Sequence, residues 1–427
     1  MTSQNLDAHI DDFARFISAS PSSFHAAAEV ARRLDDAGFT RLDEAAAWDV
    51  AGHVRAYVVR DGAIIAWVRP ASSGPTTPLR ILGAHTDSPG LKLKPAPTTV
   101  SHGWLQAAVE VYGGPLLNSW LDRELELGGR LVTRDGAEHL VRTGPMLRVP
   151  QLAIHLDRSS NDGLKLDKQR HMQPVFGVDG DDGPVAERDV LELLASIAGV
   201  AASDVVGHDV ITVDTAPPAR FGAGRTLFAA PRMDNLTSVH AGLVALLGAP
   251  DDADHISVLA AFDHEEIGSE SRSGAAGPFL ADVTARLSGG TTEELARMYA
   301  ASWCVSSDVG HAVHPNYAER HDPTHHPVPG GGPLLKINAN QRYASDAHGA
   351  ALWARACEAA GTQPQAFVSN NTVPCGSTIG PITSVRLGIR TVDVGAPLLS
   401  MHSARELIHV RDVVALSGAI GAFYAGV

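Results

Sequence analysis

The feature that most constrains the fold of this 427-residue chain is a set of apolar, strand-like runs that end in polar side chains. LRILGA leads directly into His85, ISVLAAF leads to Glu265 and Glu266, and SWCVSS leads into Asp308. Between such runs lie segments with helical spacing of apolar residues, such as LTSVHAGLVALLGA and GAALWARACEAAG. Because open α/β sheets place their sites at the carboxyl ends of strands, the pattern predicts an α/β fold. We expect a central mixed sheet flanked by helices.

Length and charge limit the other classes of protein. A chain of this size exceeds the length at which one core usually stops growing, so we expect two domains. The formal charge of −14 and the lack of a basic cluster argue against a nucleic acid partner. No apolar run is long enough to cross a membrane, and the N-terminus lacks a secretory signal pattern, so we expect a cytoplasmic protein.

A mostly-β segment interrupts the α/β pattern. Between about Pro95 and Pro218, the short alternating runs LQAAVEVYGG, ELELGGRLVT, EHLVRTG and LAIHL are separated by Gly, Pro and Asp-Gly turns. The stretch VFGVDGDDGPVAERD is expected to be a loop. We therefore predict a discontinuous α/β domain at 1–95 and 219–427, with an inserted β-rich domain at 96–218.

Two Asp-Gly pairs predict hairpins. Asp61-Gly62 joins VRAYVV to AIIAWV, and Asp135-Gly136 lies inside the β-rich segment. A helix is expected between Ser22 and Gly38, because apolar residues recur there at helical spacing.

The polar clusters supply imidazole and carboxylate groups, which are ligands that divalent zinc accepts. Two ions a few ångströms apart need one ligand between them, and a carboxylate can bridge in this way. We assign His85 and Asp308 to one ion, Glu266 and His402 to the other, and Asp234 in PRMDN as the bridge. The sequence therefore predicts two divalent ions per subunit, zinc in the first place, with cobalt or manganese as alternatives.

Two acidic residues remain for other roles. Asp87 lies two residues after His85, where it can hold the imidazole by a hydrogen bond and fix its tautomer. Neighbouring loop residues point in different directions, so Glu266 can bind metal while Glu265 faces the water between the ions. Glu265 is therefore the predicted general base. Each cluster alone is more often a solvated surface feature, but the ordered set after apolar runs favours a metallohydrolase.

The ordered clusters resemble those of the aspartyl aminopeptidase family, exopeptidases with two cocatalytic zinc ions, over nearly the whole chain. The matching segments are GAHTDSPGLKLKP, VEVYGGPLLNSWLDRELELGGR, RVPQLAIHL, PRMDN, FDHEEIGSES, SSDVGHAVHPNY, KINANQRYASD, PCGSTIGP and SMHSARE. The resemblance implies a zinc-exopeptidase-like fold, the metal and base roles given above, and hydrolysis of N-terminal Asp and Glu from peptides. One departure is His264, where the family pattern has a polar amide.

The resemblance also implies an assembly and two further histidines. The inserted domain would form a dimer, and dimers would build a dodecamer that admits only short or unfolded peptides. His155 in LAIHL and His314 in HAVHPN match positions that line the site, and the HPN segment would reach a neighbouring subunit. His314 would there stabilise the tetrahedral oxyanion. A structural histidine that caps a loop is the open alternative for both.

Selectivity for an acidic side chain needs a cation inside this acidic protein, because an unpaired buried carboxylate is costly. Lys336 in LLKIN is the first candidate, with an exposed strand lysine as the alternative. Arg342 and Arg405 are rivals, although Arg405 is better placed to orient the loop of His402. The loop residues expected to add backbone amide donors are Gly376, Ser377 and Thr378.

Two other functions remain open at the level of sequence. A related dinuclear hydrolase would act on neutral N-terminal residues or on N-acyl amino acids. An inactive scaffold would keep the fold for assembly alone, although the base and all proposed ligands are present in the chain.

Overall fold

The computed structural model describes residues 3–180 and 184–427 and has three β-sheets within them. The α-helices are α1 (Ser3–Ala19), α2 (Ser23–Asp36), α3 (Val185–Arg188), α4 (Val190–Ala198), α5 (Met233–Leu247), α6 (Phe279–Ser288), α7 (Thr292–Ala301), α8 (Ala347–Ala359), α9 (Ile379–Leu387) and α10 (Val410–Tyr424). The strands are β1 (Thr40–Arg41), β2 (Arg55–Arg60), β3 (Ala63–Val68), β4 (Leu79–His85), β5 (Gly90–Ser101), β6 (Trp104–Tyr112), β7 (Leu125–Thr133), β8 (Glu138–Arg142), β9 (Val175–Val178), β10 (Val205–Asp214), β11 (Ala219–Phe221), β12 (Leu227–Ala230), β13 (Ile256–Phe262), β14 (Trp303–Ser307), β15 (Gly310–His311), β16 (Leu334–Ile337), β17 (Gln365–Val368), β18 (Arg390–Gly395), β19 (Pro397–Leu399) and β20 (Glu406–His409).

The largest sheet has nine strands in the order β1-β2-β3-β13-β4-β14-β18-β16-β17. Its centre is parallel, because β13, β4, β14 and β18 lie side by side in one direction. One face packs against α1, α2, α5, α8 and α10, and the other against α6, α7 and α9. Strands covered on both faces read as continuous apolar runs, which is why β4 and β13 stood out in the sequence. The predicted mixed sheet flanked by helices is confirmed.

A second sheet of six strands, in the order β8-β7-β10-β5-β6-β9, is antiparallel throughout. It has its own apolar core, which includes Leu91, Leu127 and Val210, with Leu194 of α4 packed against them. The expected boundary at 95/96 falls inside β5, which begins at Gly90. The division into two domains stays a prediction.

A third, small sheet has the order β11-β12-β20-β19-β15. Its strand β12 leads into α5, and a loop joins β19 to β20. This sheet therefore presents the start of α5 and the β19–β20 loop to the rest of the molecule.

Both predicted hairpins are present. Strands β2 and β3 pair through Asp61-Gly62, with Asp61 at φ 56°, and β7 pairs with β8 around Gly136 at φ 85°. A left-handed residue suits the tight connection between antiparallel strands. Helix α2 begins after Ser22 and is followed by Gly38 at φ 81°, as expected.

Two local expectations were wrong or incomplete, and one helix was missed. The run LAIHL is a turn in place of a strand, and its side chains Leu152, Ile154 and Leu156 are 56%, 43% and 75% exposed. Alternation alone did not make a strand, because these side chains have no core to pack against. The stretch expected to be a loop contains β9, which pairs with β6, and the short α3, while its residues 181–183 lie outside the described residues. Helix α1 was not anticipated.

Within residues 3–180 and 184–427, none of the helices has both the length and the apolar character that crossing a bilayer requires.

Candidate metal centre

The carboxyl ends of three adjacent parallel strands meet at one edge of the nine-stranded sheet. His85 is the last residue of β4, Asp308 follows β14, and Glu265 and Glu266 follow β13 after two residues. Parallel strands that lie side by side end at the same edge, so these side chains converge. His264 adopts a left-handed conformation at φ 64° just before the two glutamates.

The third sheet supplies the remaining two residues. Asp234 lies in the first turn of α5, and His402 lies in the loop between β19 and β20. The structure therefore brings together all five residues that the sequence assigned as metal ligands.

These five residues form two triads that share Asp234. In each triad the potential ligand atoms lie within 4.8 Å of one another, and the members are His85, Asp234 and Asp308 in one, and Asp234, Glu266 and His402 in the other. His85 Nε2 lies 3.3 Å from Asp234 Oδ1, and His402 Nε2 lies 3.3 Å from Asp234 Oδ2. Each oxygen of the Asp234 carboxylate thus faces one histidine. This is the arrangement that a bridging carboxylate would have between two ions.

The donor atoms fit zinc in spacing and in their lack of other partners. Ligands about 2.0–2.1 Å from a tetrahedral ion lie roughly 3.3 Å from each other. His402 Nε2 lies 3.2 Å from Glu266 Oε2, and His85 Nε2 lies 3.6 Å from Asp308 Oδ1. Among the described residues, three buried atoms of the triads that could bind a metal have no hydrogen-bond partner: His85 Nε2, Asp234 Oδ1 and Glu266 Oε1. Such atoms are costly to bury unless something binds them, so the residues fit a metal centre.

Asp87 connects the imidazole of His85 to the two glutamates. His85 Nδ1 lies 3.1 Å from the Asp87 carbonyl oxygen and 3.4 Å from its carboxylate. The backbone amide of Glu265 donates to Asp87 Oδ1 at 3.0 Å, and that of Glu266 donates to Oδ2 at 3.1 Å. The Tyr112 hydroxyl also donates to Oδ2, at 2.7 Å. Asp87 therefore contacts the His85 ring chiefly through its carbonyl oxygen, and its carboxylate fixes the backbone of the Glu265–Glu266 pair.

Burial controls the charge of the two glutamates. It raises the pKa of Glu265 to about 7, and the carboxylates of Asp308 and Asp234 act in the same direction. Burial, followed by the Asp234 carboxylate, raises the pKa of Glu266 well above its ordinary value. Burial lowers the pKa of His85, but the carboxylates of Asp234, Asp308 and Asp87 outweigh it and raise that pKa. The carboxylates repel one another strongly without a cation among them.

A cavity of about 380 Å³ opens beside the triads. The predicted substrate-binding residues on its wall are Lys336, Gly376, Ser377 and Thr378. The Lys336 side chain is 2% exposed, and its Nζ donates to the Val309 carbonyl at 2.8 Å and to Asp308 Oδ2 at 3.4 Å. Thr378 caps the N-terminus of α9. The cavity therefore has a buried ammonium and a helix N-terminus on one wall.

His155 and His314 do not line this cavity within the described chain. His155 is exposed in the LAIHL turn. His314 is partly buried and packs against Tyr317, with their ring centroids 4.9 Å apart. The two rivals of Lys336 do not line the cavity either. Arg405 donates to the Ala216 and Pro217 carbonyls, and Arg342 is exposed.

Three contacts in the site were not anticipated from the sequence. The buried Glu406 accepts from the backbone amides of Asp234 and His402, each at 2.9 Å. The Gly114 carbonyl lies 2.9 Å from His402 Nδ1, so a loop after β6 holds this ring. Tyr112, at the end of β6, contacts Asp87. Glu406 lies in SMHSARE and Tyr112 lies in VEVYGG, two of the segments that resemble the aspartyl aminopeptidase family. Their position in these segments was the only sign in the sequence that they belong to the site.

Comparison with known proteins gives matches along nearly the whole chain. The family profile described as aminopeptidase I zinc metalloprotease (M18) matches residues 16–424. The protein named probable M18 family aminopeptidase 2 from Streptomyces avermitilis is 56% identical over 426 residues, which cover 98% of each chain.

Two solved structures are also similar. A chain of the Ape4 and Nbr1 complex has a TM-score of 0.94 and 32% identity, over 98% of this chain and 86% of that chain. The S. cerevisiae mApe1 dodecamer has a TM-score of 0.85 and 29% identity, over 99% of this chain and 97% of that chain.

Proposed function

The chain belongs to the aminopeptidase I zinc metalloprotease (M18) family, and from this membership we propose that it removes acidic residues, Asp and Glu, from the amino terminus of peptides. Family membership makes the protein a zinc aminopeptidase. The acidic specificity, the two-ion centre and the roles of individual residues are our proposals. They depend above all on one observation: two ligand triads share Asp234 beside a cavity whose wall holds the buried Lys336.

His85, Asp234 and Asp308 would hold one ion, and Asp234, Glu266 and His402 would hold the other. The spacing of their donor atoms and the unpartnered buried atoms support this assignment. Zinc bound there would polarise the scissile carbonyl and lower the pKa of water. Cobalt or manganese would satisfy the same donor set.

Glu265 is the proposed general base. Its side chain is 16% exposed, and its Oε2 lies 3.9 Å from His85 Nε2. Glu265 also forms a group with His85 and Glu266 whose potential ligand atoms lie within 4.8 Å of one another. We assign it to the base because the two triads that share Asp234 supply ligands for both ions without it. It would take the proton of the attacking water and deliver it to the leaving amine. Asp87 would position this base, because it holds the backbone amide of Glu265 and the imidazole of His85.

Lys336 is the residue that we propose binds the acidic side chain of the substrate's first residue. An ammonium has three donors, and two of those of Lys336 contact Val309 and Asp308, so one remains for a substrate carboxylate. The N-terminus of α9, with the backbone of Gly376, Ser377 and Thr378, would add positive potential on the same wall.

We further propose that the β-rich segment at 96–218 mediates dimerisation and that dimers assemble into a dodecamer. The solved S. cerevisiae mApe1 is a dodecamer. Two observations support an intersubunit role for the LAIHL turn and the segment around His314. The LAIHL turn and Tyr317, next to His314, are exposed, and in the described chain neither His155 nor His314 lines the site cavity. His155 and His314 would then complete the site of a neighbouring subunit, where His314 would stabilise the oxyanion.

The test is hydrolysis of Asp-, Glu- and Leu-anilides by the wild type and Lys336→Ala. We expect the wild type to prefer acidic anilides, and the variant to lose at least tenfold in kcat/KM on them while changing little on Leu-anilide. Arg342→Ala is the control for a neighbouring surface cation. Equal loss on all substrates would assign Lys336 to the metal centre and not to specificity.

The same assay separates the alternatives. Preference for Leu-anilide or for N-acyl amino acids would place the protein with the neutral aminopeptidases or the acylases. Activity that is absent at every zinc concentration would indicate a scaffold. Activity that a chelator abolishes and zinc restores is the result expected of the enzyme.

A further inference from the structure

A second cavity lies next to the site cavity. It has a volume of about 250 Å³ and shares His311, Tyr343 and Gly376 with the site cavity. Its remaining walls come from the carboxyl end of β17 and from the segments at 320–321 and 369–375. Because the two cavities share these lining residues, they are adjacent, as the binding sites of consecutive residues of one peptide would be. We name it the downstream cavity.

The two cavities differ in the charge of the side chains that line them. The site cavity is lined by four carboxylates, those of Asp234, Glu265, Glu266 and Asp308. In the described part of the chain, no Asp or Glu lines the downstream cavity, which presents Arg320, His321 and Asn370. Among the residues that the structure describes, the only acidic contact of Arg320 within 4.0 Å is Glu319, and both side chains are at least 70% exposed. Such a pair is weak and leaves the guanidinium available.

The donors of the downstream cavity are held in place by the backbone. The His314 amide donates to His321 Nε2 at 3.0 Å, so a neutral His321 carries its proton on Nδ1 and keeps a donor. Asn370 Nδ2 donates to the carbonyls of Glu319 and His321 at 3.2 and 3.1 Å. These contacts fix the segment that carries Arg320 before any ligand arrives.

We propose that the downstream cavity binds a second carboxylate of the substrate, beyond the scissile bond. This carboxylate is either an Asp or Glu side chain at the second position or the terminal carboxylate of an acidic dipeptide. Asn370 spends both amide hydrogens on the backbone, so the donors that remain for a ligand are those of Arg320 and His321. In a chain of formal charge −14, a cavity with these donors, and with no carboxylate among its described lining residues, is where an anion binds at the lowest cost. The proposal rests on the proposed function, since the first residue must occupy the site cavity.

The experiment compares amide-capped peptides that differ only at the second residue. We expect the wild type to cleave Asp-Asp-Ala-amide with about fivefold higher kcat/KM than Asp-Ala-Ala-amide, and the difference to shrink at high salt. Free Asp-Ala against Asp-Ala-amide tests the terminal carboxylate as the alternative source. Arg320→Gln removes the preference, Arg320→Lys keeps part of it, and the exposed Arg297→Gln keeps all of it.

Equal kcat/KM within both pairs in the wild type would overturn the proposal. So would an Arg320→Gln variant that loses activity equally on every substrate, because that pattern indicates a structural role. Leu-Asp-Ala-amide against Leu-Ala-Ala-amide separates this result from failure of the proposed function. If the first position does not select acidic residues, the Leu pair still shows the preference at the second.

Discussion

At the scale of single residues, a carboxylate that is not among the described lining residues of the site cavity holds several parts of the site together. Asp87 accepts hydrogen bonds from two backbone amides and a tyrosine hydroxyl, and it lies beside the His85 ring. The sequence indicated the contact with His85, since the two residues are close along the chain. It gave no sign of the amides of Glu265 and Glu266, because that contact spans 178 and 179 residues.

Glu265→Gln should abolish most activity and leave the metal in place. Glutamine cannot accept the proton of water, so we expect kcat to fall by roughly 10²–10⁴-fold. Zinc content, measured by elemental analysis, should equal that of the wild type, because Glu265 lies outside both triads. Glu270→Gln, an exposed change in the same loop, serves as the control and should keep full activity. A Glu265→Gln protein that lost zinc would place this residue among the ligands.

At the scale of elements, α9 forms one wall of the site cavity, and a buried carboxylate on β18 holds it. Asp393 Oδ1 accepts from the Thr378 hydroxyl, and Oδ2 accepts from the Ala344 amide, each at 2.6 Å. A Cβ added at Gly380 would lie 2.4 Å from this carboxylate, so only glycine allows the approach of α9. Thr378 and Tyr343, the neighbour of Ala344, both line the cavity. Asp393 therefore ties two cavity walls together.

Asp393→Asn should weaken substrate binding more than turnover. An amide nitrogen cannot accept, so the bond from the Thr378 hydroxyl is either lost or reversed, and the hold on the two walls weakens. We expect KM for acidic substrates to rise about tenfold, with kcat within about threefold and zinc content unchanged. Asp252→Asn, at an exposed loop position, is the matched control. A fall in kcat with constant KM would contradict a positioning role.

Helix α2 makes stability depend on pH through His25. Burial, together with the charges of Arg142 and Arg232, lowers the pKa of His25 to about 4 from an ordinary 6.5. Above pH 6.5 the group is neutral in both states and contributes nothing. Between pH 6.5 and 4 the unfolded chain binds the proton and the folded chain does not, so folding loses at most about 1.4 kcal/mol per pH unit.

Urea unfolding of the chelated protein from pH 7 to pH 4 tests this dependence. His25→Gln should flatten the fall in unfolding free energy between pH 6.5 and 4, whereas the exposed His348→Gln should leave its slope unchanged. Identical slopes for His25→Gln and the wild type would show that His25 is protonated equally in both states.

At the scale of the whole molecule, the sequence predicted what depends on continuous runs of residues. A strand that is covered on both faces must be apolar along its length, so the strands before His85 and Asp308 could be recognised from the sequence. The pair Asp61-Gly62 likewise indicated its own hairpin. Segments such as LAIHL were misread, since alternation predicts a strand only where a core is available. Glu406 was out of reach because its contact with Asp234 spans 172 residues of sequence. Gly114 was out of reach because its contact with His402 joins segments from different sheets.

The metal should stabilise the entire fold. Without a cation, the carboxylates of the two triads repel one another inside a buried site. Chelation should therefore lower Tm by several degrees, and zinc at about 1,000 times its Kd should restore roughly 4 kcal/mol. Differential scanning calorimetry measures this change. Asp234→Asn should remove the response to zinc, while Asp252→Asn should keep it. A Tm that ignores the chelator in the wild type would argue against a structural contribution of the ions.

Gly114 lies two residues beyond β6 of the antiparallel sheet, yet its carbonyl contacts the His402 ring, and Tyr112, the last residue of β6, reaches Asp87. Removing the β-rich segment would accordingly disturb the metal centre as well as the antiparallel sheet. A chain shortened by residues 96–218 would lose the carbonyl that contacts the His402 ring and the hydroxyl that binds Asp87. One imidazole and the backbone of the glutamate pair would then be held less firmly.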